Sequence, residues 1–198
     1  MRIPQEDIIH SFKIVILGAG GAGKTSIFNR YCFNSFKRNT ELTMGINFHT
    51  TYMSINLKNE KNESKEKYIL NSIFDLAGQA KFQPLIPKFI KGANGALLVF
   101  DSLSFSSFQQ LDEWYHKLIE NVEDPNIPKI VVGSKSDLLK DAHNAEIVNQ
   151  DIIDDFIRLR TLDGFFRTSA LENYNILMVF KELINLMLKQ KKKELILV

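Results

Sequence analysis

The sequence predicts an α/β fold, a six-stranded and mostly parallel β-sheet with one antiparallel strand and helices on both faces. Three observations predict it. Short apolar runs rich in β-branched residues alternate with segments of helical spacing. Only one early pair of strand-like segments lies side by side as a hairpin, so the remaining strands need helical crossovers. The first apolar run feeds directly into a glycine-rich loop and then a helix.

Residues 1–10 read as a short polar lead-in. Ser11 to Leu17 (SFKIVIL) suits a buried first strand, and a first helix follows over about 24–32. Residues 33–43 are polar and loop-like. Strands are expected over 46–57 and 68–74, joined by the charged stretch 58–67, which fits a long solvated hairpin loop. Residues 80–91 contain Pro84 and Pro87, so any helix there is short or irregular. Ala96 to Phe100 reads as a buried strand ending at Asp101. Ser106 and Gln109 have capping-box spacing ahead of an apolar face of Phe108, Leu111, Tyr115 and Leu118. A short buried strand, Lys129 to Val132, ends at Gly133. Helical spacing at Ile147, Ile152, Phe156 and Leu159 follows, then a short strand at Phe165 and Phe166. A last helix over about 174–190 presents Ile176, Val179, Phe180, Leu183 and Met187 on one face. No linker divides domains: one domain is expected over 1–190, with a short basic and apolar tail over 191–198.

Composition narrows the function. The chain has 198 residues, 44% hydrophobic and 24% charged, as expected of one globular domain. A net charge of +2 argues neither for nor against nucleic acid, and none is expected as a partner. One cysteine, Cys32, rules out an internal disulfide and points to a reducing compartment. No signal-peptide core and no membrane-length apolar run appear, so the expected location is the cytoplasm. The four histidines are scattered without metal-ligand spacing.

The loop itself reads Gly18-Ala19-Gly20-Gly21-Ala22-Gly23-Lys24-Thr25, or G-x-x-x-x-G-K-T. Glycines let the backbone curl so that several N–H groups point at phosphate oxygens, and the helix N-terminus adds its positive end. Gly18, Gly20, Gly21, Ala22, Gly23 and Ser26 are therefore candidates for the phosphate cradle. Lys24 would reach the outer phosphates and the Thr25 hydroxyl would hold magnesium. Asp75, Gly133 and Ser169 also follow strand ends, and in such sheets ligands bind beyond the carboxyl ends of the strands.

The ordered set GAGGAGKT, TMGINF (43–48), DLAGQ (75–79), SKSD (134–137) and TSA (168–170) resembles the Ras superfamily of small GTPases, most closely its Rab branch. The resemblance covers about 11–188 and implies a P-loop G domain that binds GTP, GDP and Mg2+. It implies roles by position. Thr43 would close over magnesium and the γ-phosphate, and Asp75 would hold magnesium through water. The Gly78 N–H would contact the γ-phosphate, and Gln79 would orient the attacking water. Phe36 would pack against the guanine edge, and the Lys135 stem would lie along the base. Asp137 would accept two base N–H groups. The Ser169-Ala170-Leu171 segment would close the site, with the Ala170 N–H donating to the base carbonyl. Adenine lacks the paired donors that Asp137 would need, which favours GTP over ATP. Slow intrinsic turnover, accelerated by a partner, is expected. Effectors, exchange factors and activating proteins would act through 36–48 and 76–91, with Phe48, Phe74 and Phe89 either at that surface or in the core.

Several positions depart from the family pattern. Ser134 stands where Asn is usual, and its shorter reach predicts a weaker link to the P-loop. Leu76, Ala80 and Leu171 replace Thr, Glu and Lys. Leu76, Ala80 and Ser134 motivate an alternative, a module that holds nucleotide with little hydrolysis. A kinase or ATPase of another P-loop class is opposed by DLAGQ and Asp137. No cysteine closes the sequence, so no stable lipid anchor is expected. The tail reads either as a solvated helix end with a frayed terminus or as a weak contact with anionic membrane. A monomer is expected.

Overall fold

A computed structural model of the chain describes residues 3–38, 43–58, 64–143 and 147–196. Six strands form one sheet in the order β2-β3-β1-β4-β5-β6. They are β1 (Ile8–Leu17), β2 (Ile46–Lys58), β3 (Ser64–Leu76), β4 (Gly95–Asp101), β5 (Lys129–Ser134) and β6 (Phe165–Arg167). All neighbouring pairs are parallel except β2–β3, as the alternation of strand and helix requires. The helices are α1 (Lys24–Phe33), α2 (Ile86–Ile90), α3 (Phe105–Gln109), α4 (Leu111–Asn121), α5 (Gln150–Arg160) and α6 (Ile176–Ile196).

The period of two along each strand divides the core into two layers. Ile14 and Ile16 of β1, Leu97 and Val99 of β4, and Ile130 and Val132 of β5 face α1 and α6. Val15, Leu17, Leu98, Phe100 and Val131 face α2 to α5. The predicted face of α6 is buried throughout, with Ile176, Val179, Phe180, Leu183 and Met187 each at 1% exposure or less.

Several elements differ from the sequence reading. β1 begins at Ile8 within the expected lead-in, because β3 reaches far enough back to pair Ile8 with Tyr68. The Lys67 ammonium bonds the Glu6 carbonyl and Asp7 carboxylate there. The hairpin ladder persists to Lys58 opposite Ser64, so the charged stretch is strand at both ends. Solvated alternation on an edge hairpin looks like loop by composition alone. The expected capping box is replaced by Ser104, whose side chain accepts from the Ser107 N–H. The helix then breaks at Gln110, and the new phase buries Trp114 while Tyr115 is only partly covered. In α5, Asn149 caps the helix and Ile153, Phe156 and Ile157 face the core. Ile152 and Leu159 lie on the outer side. Finally, β5 runs through Gly133 to Ser134, and α6 continues to Ile196 where a tail was expected.

Candidate nucleotide site

The carboxyl ends of β1, β3, β4 and β5 meet at a cavity of about 630 Å³, the size of a small-molecule site. Lining it are Gly20, Gly21, Gly23, Lys24, Thr25, Ser26, Phe36, Thr43, Gly78, Gln79, Ser134, Lys135, Asp137, Ala170 and Leu171 among the predicted residues. Gly18, Ala22, Asp75 and Ser169 stand one layer back and act on the lining residues, as the hydrogen bonds below describe.

At the phosphate end, β1 stops at Leu17 and α1 starts at Lys24. Gly23 caps α1 at φ +88, and a Cβ there would lie 3.0 Å from Ser134 Oγ, so both backbone and neighbour call for glycine. The buried Lys24 ammonium donates to the carbonyls of Gly18 (2.8 Å) and Ala19 (2.7 Å). Burial pushes its pKa down to about 8, against the pull of Asp75. Gly78 lies against this loop so closely that a Cβ would meet the Gly20 nitrogen at 2.4 Å. Gln79 Nε2 approaches the Thr43 carbonyl at 3.4 Å.

Three oxygen-bearing side chains converge beside Lys24. Thr25 Oγ1 donates to Asp75 Oδ2 at 2.7 Å and therefore accepts from Thr43 Oγ1 at 2.6 Å. Asn47 Nδ2 donates to the same carboxylate oxygen at 2.9 Å. Asp75 is fully buried; burial raises its pKa while the bonds from Thr25 and Asn47 and the Lys24 charge oppose the rise. Its Oδ1 has no hydrogen-bond partner among the described residues. Hard oxygen donors around an orphaned buried carboxylate oxygen fit Mg2+.

At the other end, the Asp137 carboxylate accepts from Ser169 Oγ at 2.6 Å. Lys135, in the left-handed region at φ +58, pairs with Asp101 Oδ2 at 2.7 Å. Ser134 is buried and its Oγ donates to the Ala22 carbonyl at 2.6 Å. The loop comes close enough for the shorter serine to make this one bond. Phe36 packs against the α1–α6 layer and lines the cavity. Leu76 is fully buried in the opposite core layer, so its departure from the family pattern is a packing change. Phe48, Phe74 and Phe89 form a chain of rings at 4.8 and 6.3 Å. Phe48 is exposed and the other two pack against the core.

Sequence reasoning missed Asn47, Asp101, Arg38 and Leu138. Asn47 faces Asp75 across the β2–β3 ladder, and Asp101 faces Ser134 across β4–β5. Asp101 ends a strand, a signal that strand order would have completed. Arg38 and Leu138 line the cavity and carry no pattern of their own.

Comparison with known proteins agrees with this geometry. Residues 13–189 match the Ras family. A Ras-related protein RABA1c of Arabidopsis thaliana is 33% identical over 87% of this chain and 73% of its own length. Ras-related protein Rab-11A of Dictyostelium discoideum is 32% identical over 91% and 77%. Ras-related protein Rab7 of Glycine max is 30% identical over 83% and 76%. With its strand order, its phosphate loop and this coverage, the chain belongs to the Ras family of small GTPases.

Proposed function

We propose that the chain binds GTP and GDP with Mg2+, hydrolyses GTP slowly and acts as a switch whose two states are read by effector proteins. The observation that carries this reading is that a single cavity has Lys24, Thr25 and Thr43, backed by Asp75, at one end and Asp137 at the other.

At the base end, Asp137, held by Ser169, would accept the paired N–H groups of guanine; adenine would give the carboxylate no such pair of donors. The Lys135 stem forms one wall, steadied by its pair with Asp101. At the phosphate end, Lys24 exchanges the carbonyls of Gly18 and Ala19 for phosphate oxygens. Magnesium held by Thr25, Thr43 and Asp75 would neutralise phosphate charge. Gln79 would position the attacking water beside Gly20. Loss of the γ-phosphate would free Thr43 and Gly78, and with them the segments 36–48 and 76–91. Residues 39–42 lie outside the described residues. Exchange factors and activating proteins would bind these segments, with Phe48 exposed on that surface. A place in vesicle trafficking or signalling is proposed from the Rab-related likeness alone. No helix of the described residues is long and apolar enough to cross a membrane. The cytoplasm, as a monomer, is the proposed setting.

The test is nucleotide content and turnover. Extracted nucleotide is identified, GTP and ATP compete for the emptied protein, and phosphate release is followed with magnesium. Bound GDP, roughly 10³-fold preference for GTP and slow release are expected. Equal binding of ATP would overturn the role of Asp137. GTP retained without release would identify the nucleotide-holding module instead.

A further inference from the structure

Arg30 joins two segments 140 residues apart in the sequence. Its Nε donates to the Ala170 carbonyl at 2.8 Å. Nη1 donates to the Asn34 carbonyl at 3.1 Å and to Asn34 Oδ1 at 3.2 Å, and Nη2 lies 3.5 Å from the Leu171 carbonyl. A basic residue in the last turn of a helix commonly serves its own helix end, and the bonds to Asn34, the C-cap of α1, do that. The Nε bond does something else. It leaves the helix for the loop after β6.

Both bonded segments lead to the cavity. Phe36, two residues after Asn34, lines it together with Ala170, Leu171 and Asp137. We propose that Arg30 is a positioning residue for base binding: its guanidinium holds the Phe36 side and the Ala170–Leu171 side together, so that displacing the segment after α1 loosens the grip on the base. This rests on the guanine-nucleotide reading above. The planar fork suits the task because its donors point in fixed, divergent directions; an ammonium has one centre and cannot span both segments. A partner that pulls on the segment after α1 would then speed nucleotide release without touching the phosphates.

The test compares wild type, Arg30→Met and Arg30→Lys as full-length chains. Hydrogen exchange is first read on protein freed of nucleotide. The amides of Ser169 and Tyr174 are bonded to each other's carbonyls, and the Glu172 amide to Ser169 Oγ, so they report on the loop. Arg30→Met is expected to speed exchange at 169–174 about tenfold, with β1 and β4 unchanged, and to speed GDP release about tenfold. Arg30→Lys is expected to restore neither. Unchanged exchange at 169–174, or full rescue by lysine, overturns the proposal. So does faster exchange in β1 and β4 as well, which would make Arg30 a general packing residue. If wild type binds no guanine nucleotide, the proposed function fails on that result alone. Exchange at 169–174 then still decides whether Arg30 ties the two segments.

Discussion

Substituting Gly78→Ala would place a methyl carbon 2.4 Å from the Ala19 carbonyl carbon and the Gly20 nitrogen, and 2.6 Å from the Gly18 carbonyl oxygen. All three are backbone atoms, so no side chain can rotate aside. Ordinary contact distances require the 75–79 segment and the phosphate loop to part by roughly 1 Å. Forcing extra volume into a packed contact costs about 1–3 kcal/mol, and 2 kcal/mol is roughly 30-fold in affinity. Gly20 faces the same contact from the other side, yet among the described residues its Cβ would find nothing nearer than Gln79 Cγ and Gly78 backbone at 3.9 Å. Gly20→Ala therefore fits. Equilibrium titration with fluorescent GTP and GDP analogues separates the two. Gly78→Ala is expected to weaken GTP binding roughly 30-fold and GDP binding less, because the Gly78 N–H is proposed to contact the γ-phosphate that GDP lacks. Gly20→Ala is expected to stay within about threefold for both. Wild-type GTP affinity in Gly78→Ala, or equal losses in the two variants, would refute the argument from close approach.

Three other outcomes follow from the same site. Lys24 has its pKa lowered from 10.5 to about 8, so its charge destabilises the empty fold by about 3 kcal/mol below pH 8, and the penalty is relieved as pH rises towards 10.5. In protein free of nucleotide and magnesium, wild type should therefore gain stability over Lys24→Met between pH 8 and 10.5 in urea melts, while Lys24→Met loses nucleotide binding; parallel pH profiles would exclude the desolvated charge. Ser134→Ala strips the 2.6 Å bond from the Ala22 carbonyl, and about 1–3 kcal/mol of stability should go with it, with faster GDP release in stopped-flow exchange. Gln79→Leu should slow GTP hydrolysis at least tenfold, both alone and with an activating partner, in single-turnover phosphate release; an unchanged rate would remove Gln79 from the reaction.

What the sequence determined by itself is local. The glycine loop between a strand and a helix is one contiguous motif, and its chemistry depends on spacing within eight residues. The face of α6 could be read from Ile176 to Met187 because the helical period is written along one segment. The α/β class followed from alternation for the same reason. Where local signals compete, the period along the segment does not set the buried face: the break at Gln110 buries Trp114, and α5 turns Ile153 inward and Ile152 outward. The tertiary structure alone decided the rest. Asn47 meets Asp75, and Asp101 meets Lys135, because of strand neighbours that no local period encodes. Ser134 reaches Ala22 across 112 residues, and Arg30 reaches Ala170 across 140, at distances set to a few tenths of an ångström by two packed core layers. Residue type and period are properties of a segment. Approach distance is a property of the whole packed sheet, and in this protein it decides that a serine suffices at 134 and that only glycine fits at 78.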